Sequence, residues 1–151
     1  MAAEQESIWE YPAQPKVEET NKHIQIICNG ITIADTHRAK RVLQKGQPPV
    51  YYIPQQDIQR NYLVPRFNTS LSEFKGLARY YGLFVEDQQV PIAAWYYPQP
   101  ESGYEAIQMH VAFYAQHVDE CTVDGEKVIP QEGGFYGGWI TSDIDMQEAD
   151  S

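Results

Sequence analysis

The stretch HIQIICNGITIADT, from His23 to Thr36, reads as a β-hairpin and decides the fold class. Asn29-Gly30 lies at its centre, and Asn-Gly suits a type I′ turn, which needs positive φ at both central residues. A two-residue turn sets the register: Cys28 opposite Ile31, Ile26 opposite Ile33, and Ile24 opposite Asp35. Ile24, Ile26, Cys28, Ile31 and Ile33 then share one face, and that face must be core. Asp35 falls at the end of it, so its carboxylate must either meet a cation or leave the core.

Working outward, the neighbouring segments are also extended. Ser7 to Pro15 is a proline-broken stretch with Trp9 and Tyr11 as anchors. His37 to Lys45 fits a short helix or a strand equally well. Pro48-Pro49 forces an extended entry into VYYIP, a strand ending at Pro54, and Gln55 to Leu63 has room for one short helix. Arg79 to Val85 and Ile92 to Tyr97 read as strands joined through Glu86 to Gln89. His110 to Ala115 is a strand with Val111 and Phe113 on one face and His110, Ala112 and Tyr114 on the other. Asp119 to Ile129 is a second hairpin, turning at Asp124-Gly125, with Cys121, Val123 and Val128 inward. Gly133, Gly134, Gly137 and Gly138 make a flexible run around Phe135 and Tyr136. Residues 1–6 and 146–151 are polar tails, expected to fray. A faint repeat, Trp9-Glu10-Tyr11-Pro12 and Trp95-Tyr96-Tyr97-Pro98, suggests two similar β layers around one core. The expectation is a mainly β, compact two-sheet domain, tent-like or sandwich-like, with one or two short helices.

With 151 residues the chain has the length of one domain, able to bury a core without staples. Its 11 tyrosines against 5 phenylalanines favour strands and surfaces that are half apolar, half wet. Two cysteines, Cys28 and Cys121, allow one disulfide but suit two buried thiols better in a reducing compartment. Met1 to Tyr11 has no apolar signal-peptide core, and no run of 18 apolar residues exists, so a soluble cytoplasmic protein without membrane contact is expected.

A net charge of −10 argues against nucleic acid as a partner, because phosphate binding needs a basic face. The charge is unevenly spread. Arg38 to Arg79 holds eight basic residues against two acidic ones, and the remainder holds three basic against nineteen acidic. That segment is either a solvated surface or a basic concavity for a small anion.

Four blocks, IADTHRAKRVL (Ile33 to Leu43), PPVYYIPQQD (Pro48 to Asp57), FKGLARYY (Phe74 to Tyr81) and AAWYYPQP (Ala93 to Pro100), resemble the signature segments of domain of unknown function 427. The ending GGFYGGWITSDI is similar to many members as well. The resemblance implies a compact two-sheet β fold with some likeness to tent-shaped zinc-binding domains, and the family is grouped by name with nucleotidyltransferases. Members often have Cys-Glu-Trp-Lys-Gly where this chain has Ser72-Glu73-Phe74-Lys75-Gly76, so a mechanism using a thiol at that point does not carry over.

Several chemistries can be weighed on the residues themselves. His110, His117 and Cys121 have only loose zinc-ligand spacing, with no Cys-x-x-Cys pair. Metal-dependent nucleotidyl transfer needs paired carboxylates; Asp143 and Asp145 are so spaced, but in an acidic, near-terminal segment. Neither a phosphate-binding GxxxxGK[ST] loop nor a G-x-S-x-G nucleophile elbow occurs, and Cys28 points into the expected core, where a thiol is inert. The most coherent set joins cations, aromatics and proton-handling groups. Lys75, Asp35 and His110 are the candidates for catalysis. Arg38, Arg41, Tyr52, Arg79, Trp95, Tyr97 and Tyr114 are the candidates for binding a small anionic or aromatic metabolite. Each aromatic could equally be core, and Asp35 with Arg38 or Arg41 could be a structural ion pair. Lys75, flanked by Phe74 and Gly76, is the central expectation, because partial burial would lower its pKa and suit it to anion binding or Schiff-base chemistry. A non-catalytic interaction module with a Tyr-rich face is the remaining alternative. Cofactor and oligomeric state are not legible.

Overall fold

A computed structural model of the chain describes residues 5–131 and 137–148. Its strands in chain order begin with β1 (Glu6–Ser7), β2 (Lys16–Glu19), β3 (Ile24–Cys28), β4 (Ile31–Thr36) and β5 (Lys40–Leu43). They continue with β6 (Val50–Tyr52), β7 (Leu63–Ser72), β8 (Gly76–Val85), β9 (Gln88–Tyr96) and β10 (Val111–Phe113). The last are β11 (Glu120–Val123), β12 (Glu126–Lys127), β13 (Ile129–Pro130), β14 (Trp139–Ile140) and β15 (Ile144–Asp145). The helical content among the described residues is single 3₁₀ turns of three residues each. The protein is therefore mainly β, as expected, with several separate sheets and no closed barrel.

The layers follow from strand alternation. A four-stranded antiparallel sheet, β10-β9-β8-β7, has a second four-stranded sheet, β12-β11-β3-β4, against one face. Ile24, Ile26 and Cys28 of β3, Leu83 and Val85 of β8, Val111 and Phe113 of β10, and Cys121 and Val123 of β11 form the main core between them. A three-stranded sheet, β2-β5-β6, covers part of the other face and makes a second, aromatic core of Val42, Tyr52, Ala78, Trp95, Ala112 and Tyr114. The pleat of β10 divides its residues between the two cores as alternation requires. So the expected facing pair of sheets is present, with a further sheet outside it. Where that third sheet meets the central one, a cleft opens.

The Asn29-Gly30 turn forms with φ of 49° and 77°, and Cys28 pairs with Ile31. The register then departs from the expected one. An extra residue on β4 shifts the pairing, so Ile26 faces Ala34, Gln25 faces Asp35 and Ile24 faces Thr36. The reason is physical. A straight ladder would set Asp35 against buried Ile24, where a desolvated carboxylate costs several kcal/mol. The bulge keeps Ile33 and Ala34 inside and turns Asp35 out to solvent.

Strand β7 was not expected; it is an edge strand, mostly exposed and carrying Pro65, so it lacks the apolar alternation of a buried strand. Gln55 to Leu63 holds two 3₁₀ turns, Gln55–Asp57 and Arg60–Tyr62, instead of one helix. The two Trp-x-Tyr-Pro tetrapeptides take different conformations, since Trp9 lies in a 3₁₀ turn and Trp95 in β9. At the termini, Glu6 is held by β15 and by Arg41, and the Met146 carbonyl accepts a hydrogen bond from the Trp9 indole. His37 to Lys45 resolves as a strand, β5. Of the glycine-rich run, Gly133 to Tyr136 lies outside the described residues.

Candidate functional site: an aromatic cleft with one lysine

Alternate residues on three neighbouring strands build one wall. Ala78 and Tyr80 of β8, Trp95 of β9 with Tyr97 just beyond it, and Ala112 of β10 with Tyr114 just beyond it face the same way, toward the second core. Tyr80 and Ala112 both pair with Trp95, so these three cross the sheet as a row. Ala112 is small, which leaves space for Tyr52 of β6 to reach the Trp95 ring from the covering sheet. The Tyr52 and Trp95 rings meet edge-on at 6.3 Å, Trp95 and Tyr114 lie 4.5 Å apart, and Tyr52 and Tyr97 lie 6.4 Å apart. Offset and edge-on contacts of this kind hold aromatic rings in place.

These rings line a cavity of about 410 Å³, closed on its other sides by Val42, Val50, Gln44, Gln47 and Pro48 and by the β7–β8 turn, Ser70 to Lys75. That volume falls within the range of roughly 300–1,000 Å³ typical of small-molecule sites. Lys75 and Glu73 are its charged lining residues among the described ones. Burial pulls the Lys75 ammonium below the ordinary lysine range. Burial also pushes the phenols up: Tyr97 to about 12, Tyr52 well above the usual value, and Tyr114 upward with Tyr80 adding to the effect. At neutral pH the cleft thus holds neutral phenols that can donate hydrogen bonds, beside one amine.

Lysine pairing separates Lys75 from its fellows. The three half-buried lysines of the described chain are Lys22, Lys40 and Lys75. Lys22 reaches Asp143 at 2.7 Å and Lys40 reaches Glu19 at 2.8 Å. Among the described residues Lys75 forms no ion pair.

The expected site residues divide accordingly. Lys75, Tyr52, Trp95, Tyr97 and Tyr114 are brought together in the cleft. Asp35 is exposed on β4 and bonds His23 Nε2 at 2.7 Å, not Arg38 or Arg41. Arg38 makes a two-pronged contact to Asp57, both bonds 2.9 Å, and Arg41 bonds Glu6 and Glu18. Arg79 is exposed on the face of β8 opposite Tyr80. His110 lies outside the cleft lining, with Nδ1 3.0 Å from the Gln108 carbonyl and its pKa lowered by burial. The basic segment therefore does not converge on one concavity, because most of its members have carboxylates or solvent of their own.

Sequence reasoning missed Tyr80, Phe74, Ser70 and Ser72 as lining residues. Tyr80 had a signal, being two residues from Ala78 on a strand, but the β7–β8 turn was invisible while β7 was unassigned. Two other depressions are more open: one along Gln14 to Glu19 beside Tyr104, the other between Glu19–Lys22 and His37–Lys40. Of their cations, Lys22, Arg38 and Lys40 are already paired, and Lys16 is exposed. Asp143 accepts from Lys22 and Thr141, away from the cleft. No group of three or more His, Cys, Asp or Glu side chains is arranged for a metal among the described residues. Nor is any described helix long and apolar enough to cross a membrane.

The fold and cleft define a mainly β domain with a buried aromatic cluster. The chain belongs to the family described as a domain of unknown function (DUF427), whose model matches residues 16–124 and which carries a nucleotidyltransferase-type label. The matched span includes the cleft's aromatic wall and Lys75. No curated protein matches the chain.

Proposed function

We propose that this domain binds a small planar metabolite, aromatic or anionic, in the cleft between the central sheet and the β5–β6 hairpin. The observation that carries this reading is Lys75, a half-buried amine that lines an aromatic cleft and forms no ion pair among the described residues. Leaving a half-buried amine unpaired costs stability unless something else occupies that place for part of the time. Trp95, Tyr97 and Tyr114 offer ring faces for stacking, and Ser70, Ser72 and Tyr80 offer hydroxyls to fix orientation.

Nucleotidyl transfer is less favoured, because Glu73 is the cleft's sole described carboxylate and two-metal chemistry needs more. The test is calorimetric titration and thermal shift of the full chain with aromatic acids, sugar phosphates, and nucleotides with magnesium. Aromatic acids are expected to raise Tm, and Lys75→Ala, a turn substitution that leaves both cores intact, is expected to remove the shift. A shift with magnesium nucleotide that survives Lys75→Ala would overturn the assignment.

A further inference from the structure

Among the described residues the Lys75 amine forms no ion pair, and a charged anion clamp and a nucleophile need different surroundings. An anion clamp works best with several cations, and Arg38, Arg41 and Arg79 are all directed elsewhere. The described cleft offers one amine, several neutral phenols and hydroxyls, and a planar aromatic slot. Such a lining matches a neutral carbonyl compound better than a multiply charged anion.

We infer that Lys75 is the nucleophile of a carbonyl site, and that the ligand class is an aromatic aldehyde or ketone held as an imine. This inference rests on the binding reading above. The Lys75 Nζ lone pair attacks the carbonyl carbon; a C–N bond forms, the C=O π bond opens, and a proton passes from nitrogen to oxygen to give a carbinolamine. A second proton delivered to that oxygen lets it leave as water, and the nitrogen lone pair closes the C=N bond. No oxidant or reductant is needed. Polar groups that line the same cavity include Glu73 of the same turn, Tyr80 of β8, Tyr97 beyond β9, Tyr52 of β6 and Tyr114 beyond β10. The Tyr52, Tyr97 and Tyr114 phenols among them carry protons at neutral pH. Burial favours the uncharged amine that the first step requires.

The experiment is reductive trapping. The full chain is incubated near pH 7 with 4-hydroxybenzaldehyde and cyanoborohydride, digested, and mapped by mass spectrometry for the aldehyde mass less one oxygen. The chain has six lysines, so selectivity is measured internally. Lys75 is expected to label several-fold faster than exposed Lys16, Lys45 and Lys127. Its labelling should also level off at lower pH than theirs, as a lowered pKa requires. Lys75→Arg, which keeps the charge and the fold, should lose the adduct, and 4-hydroxybenzyl alcohol should protect Lys75 in the native chain. Uniform labelling of all lysines would overturn the inference. If the alcohol raises Tm but Lys75 is not trapped, the imine fails and the binding reading stands; if neither occurs, both fall.

Discussion

Replacing Gly137 with alanine would drive a methyl group into the aromatic wall of the cleft. An added Cβ there lies 2.3 Å from Trp95 Cη2, 2.8 Å from Cζ3 and 3.3 Å from Tyr114 Cδ1. Trp95 has little room to yield, being 6% exposed and flanked by the rings of Tyr52 and Tyr114. Two costs add. A side chain at φ +68° is in the left-handed region, at about 1–2 kcal/mol, and overpacking adds about 1–3 kcal/mol. Gly30→Ala is the control, since φ is +77° and nothing lies within 4 Å of the new methyl. The difference between the two variants isolates the contact, and at about 2–4 °C per kcal/mol for a chain of this size it is about 2–12 °C in Tm. Scanning calorimetry measures it. Tryptophan fluorescence and ligand titration should report Trp95 displaced toward the cavity, with weaker binding in Gly137→Ala alone. If both variants melt together, the packing of Gly137 on Trp95 is not as described.

Two further outcomes follow from the ion pairs and thiols. Hydrogen bonds from Arg38 hold the Asp57 carboxyl below its ordinary pKa, and the buried Thr36 hydroxyl adds to this at 2.7 Å. Because the folded pKa is lowered, the stabilisation is full above the ordinary carboxyl value and is lost as pH falls through the folded one. Asp57→Ala should therefore cost about 1–2 kcal/mol in urea unfolding at pH 7, and markedly less at pH 3; a pH-independent loss would contradict the linkage. Burial raises both thiol pKa values, that of Cys28 and more strongly that of Cys121. Thiol titration with a disulfide reagent should find both unreactive in the native protein and two equivalents in denaturant. Rapid native labelling of either would place that thiol outside the core.

Local signals carried much of the fold, and nonlocal ones carried the rest. Asn29-Gly30 and Asp124-Gly125 specify their turns with two residues each, so both hairpins were legible. The bulge at Ile33 was not, because it answers to what lies across from Asp35 and not to the turn. Strand β7 was hidden for a related reason: an edge strand exposed on both sides needs no apolar alternation, so Leu63 to Ser72 reads as polar loop. The loss of β7 from the reading also hid half of the cleft, since its turn into β8 supplies Ser70, Ser72 and Phe74. Tyr52, Trp95, Tyr97 and Tyr114 were legible by residue type, since aromatic side chains on strand segments suit a pocket wall in any register.

The cations show how pairing, more than composition, decides what a charged segment can do. From Arg38 to Arg79 the chain carries a positive excess, yet β2 lies antiparallel to β5 in a register that sets Glu18 opposite Arg41 and Glu19 opposite Lys40. Those partners are more than twenty residues away in sequence, so no window of the chain could reveal that the charges cancel on the sheet surface. Arg38 is claimed by Asp57 from the 3₁₀ turn after β6. Lys75 differs because it sits in a turn, where no neighbouring strand can present a carboxylate by register. A turn lysine usually extends into water and needs no partner. This one lines the cavity together with Phe74 and the aromatic wall, and burial pulls its ammonium below the ordinary lysine range. Desolvation without a counter-charge is what makes an amine reactive toward carbonyls at neutral pH.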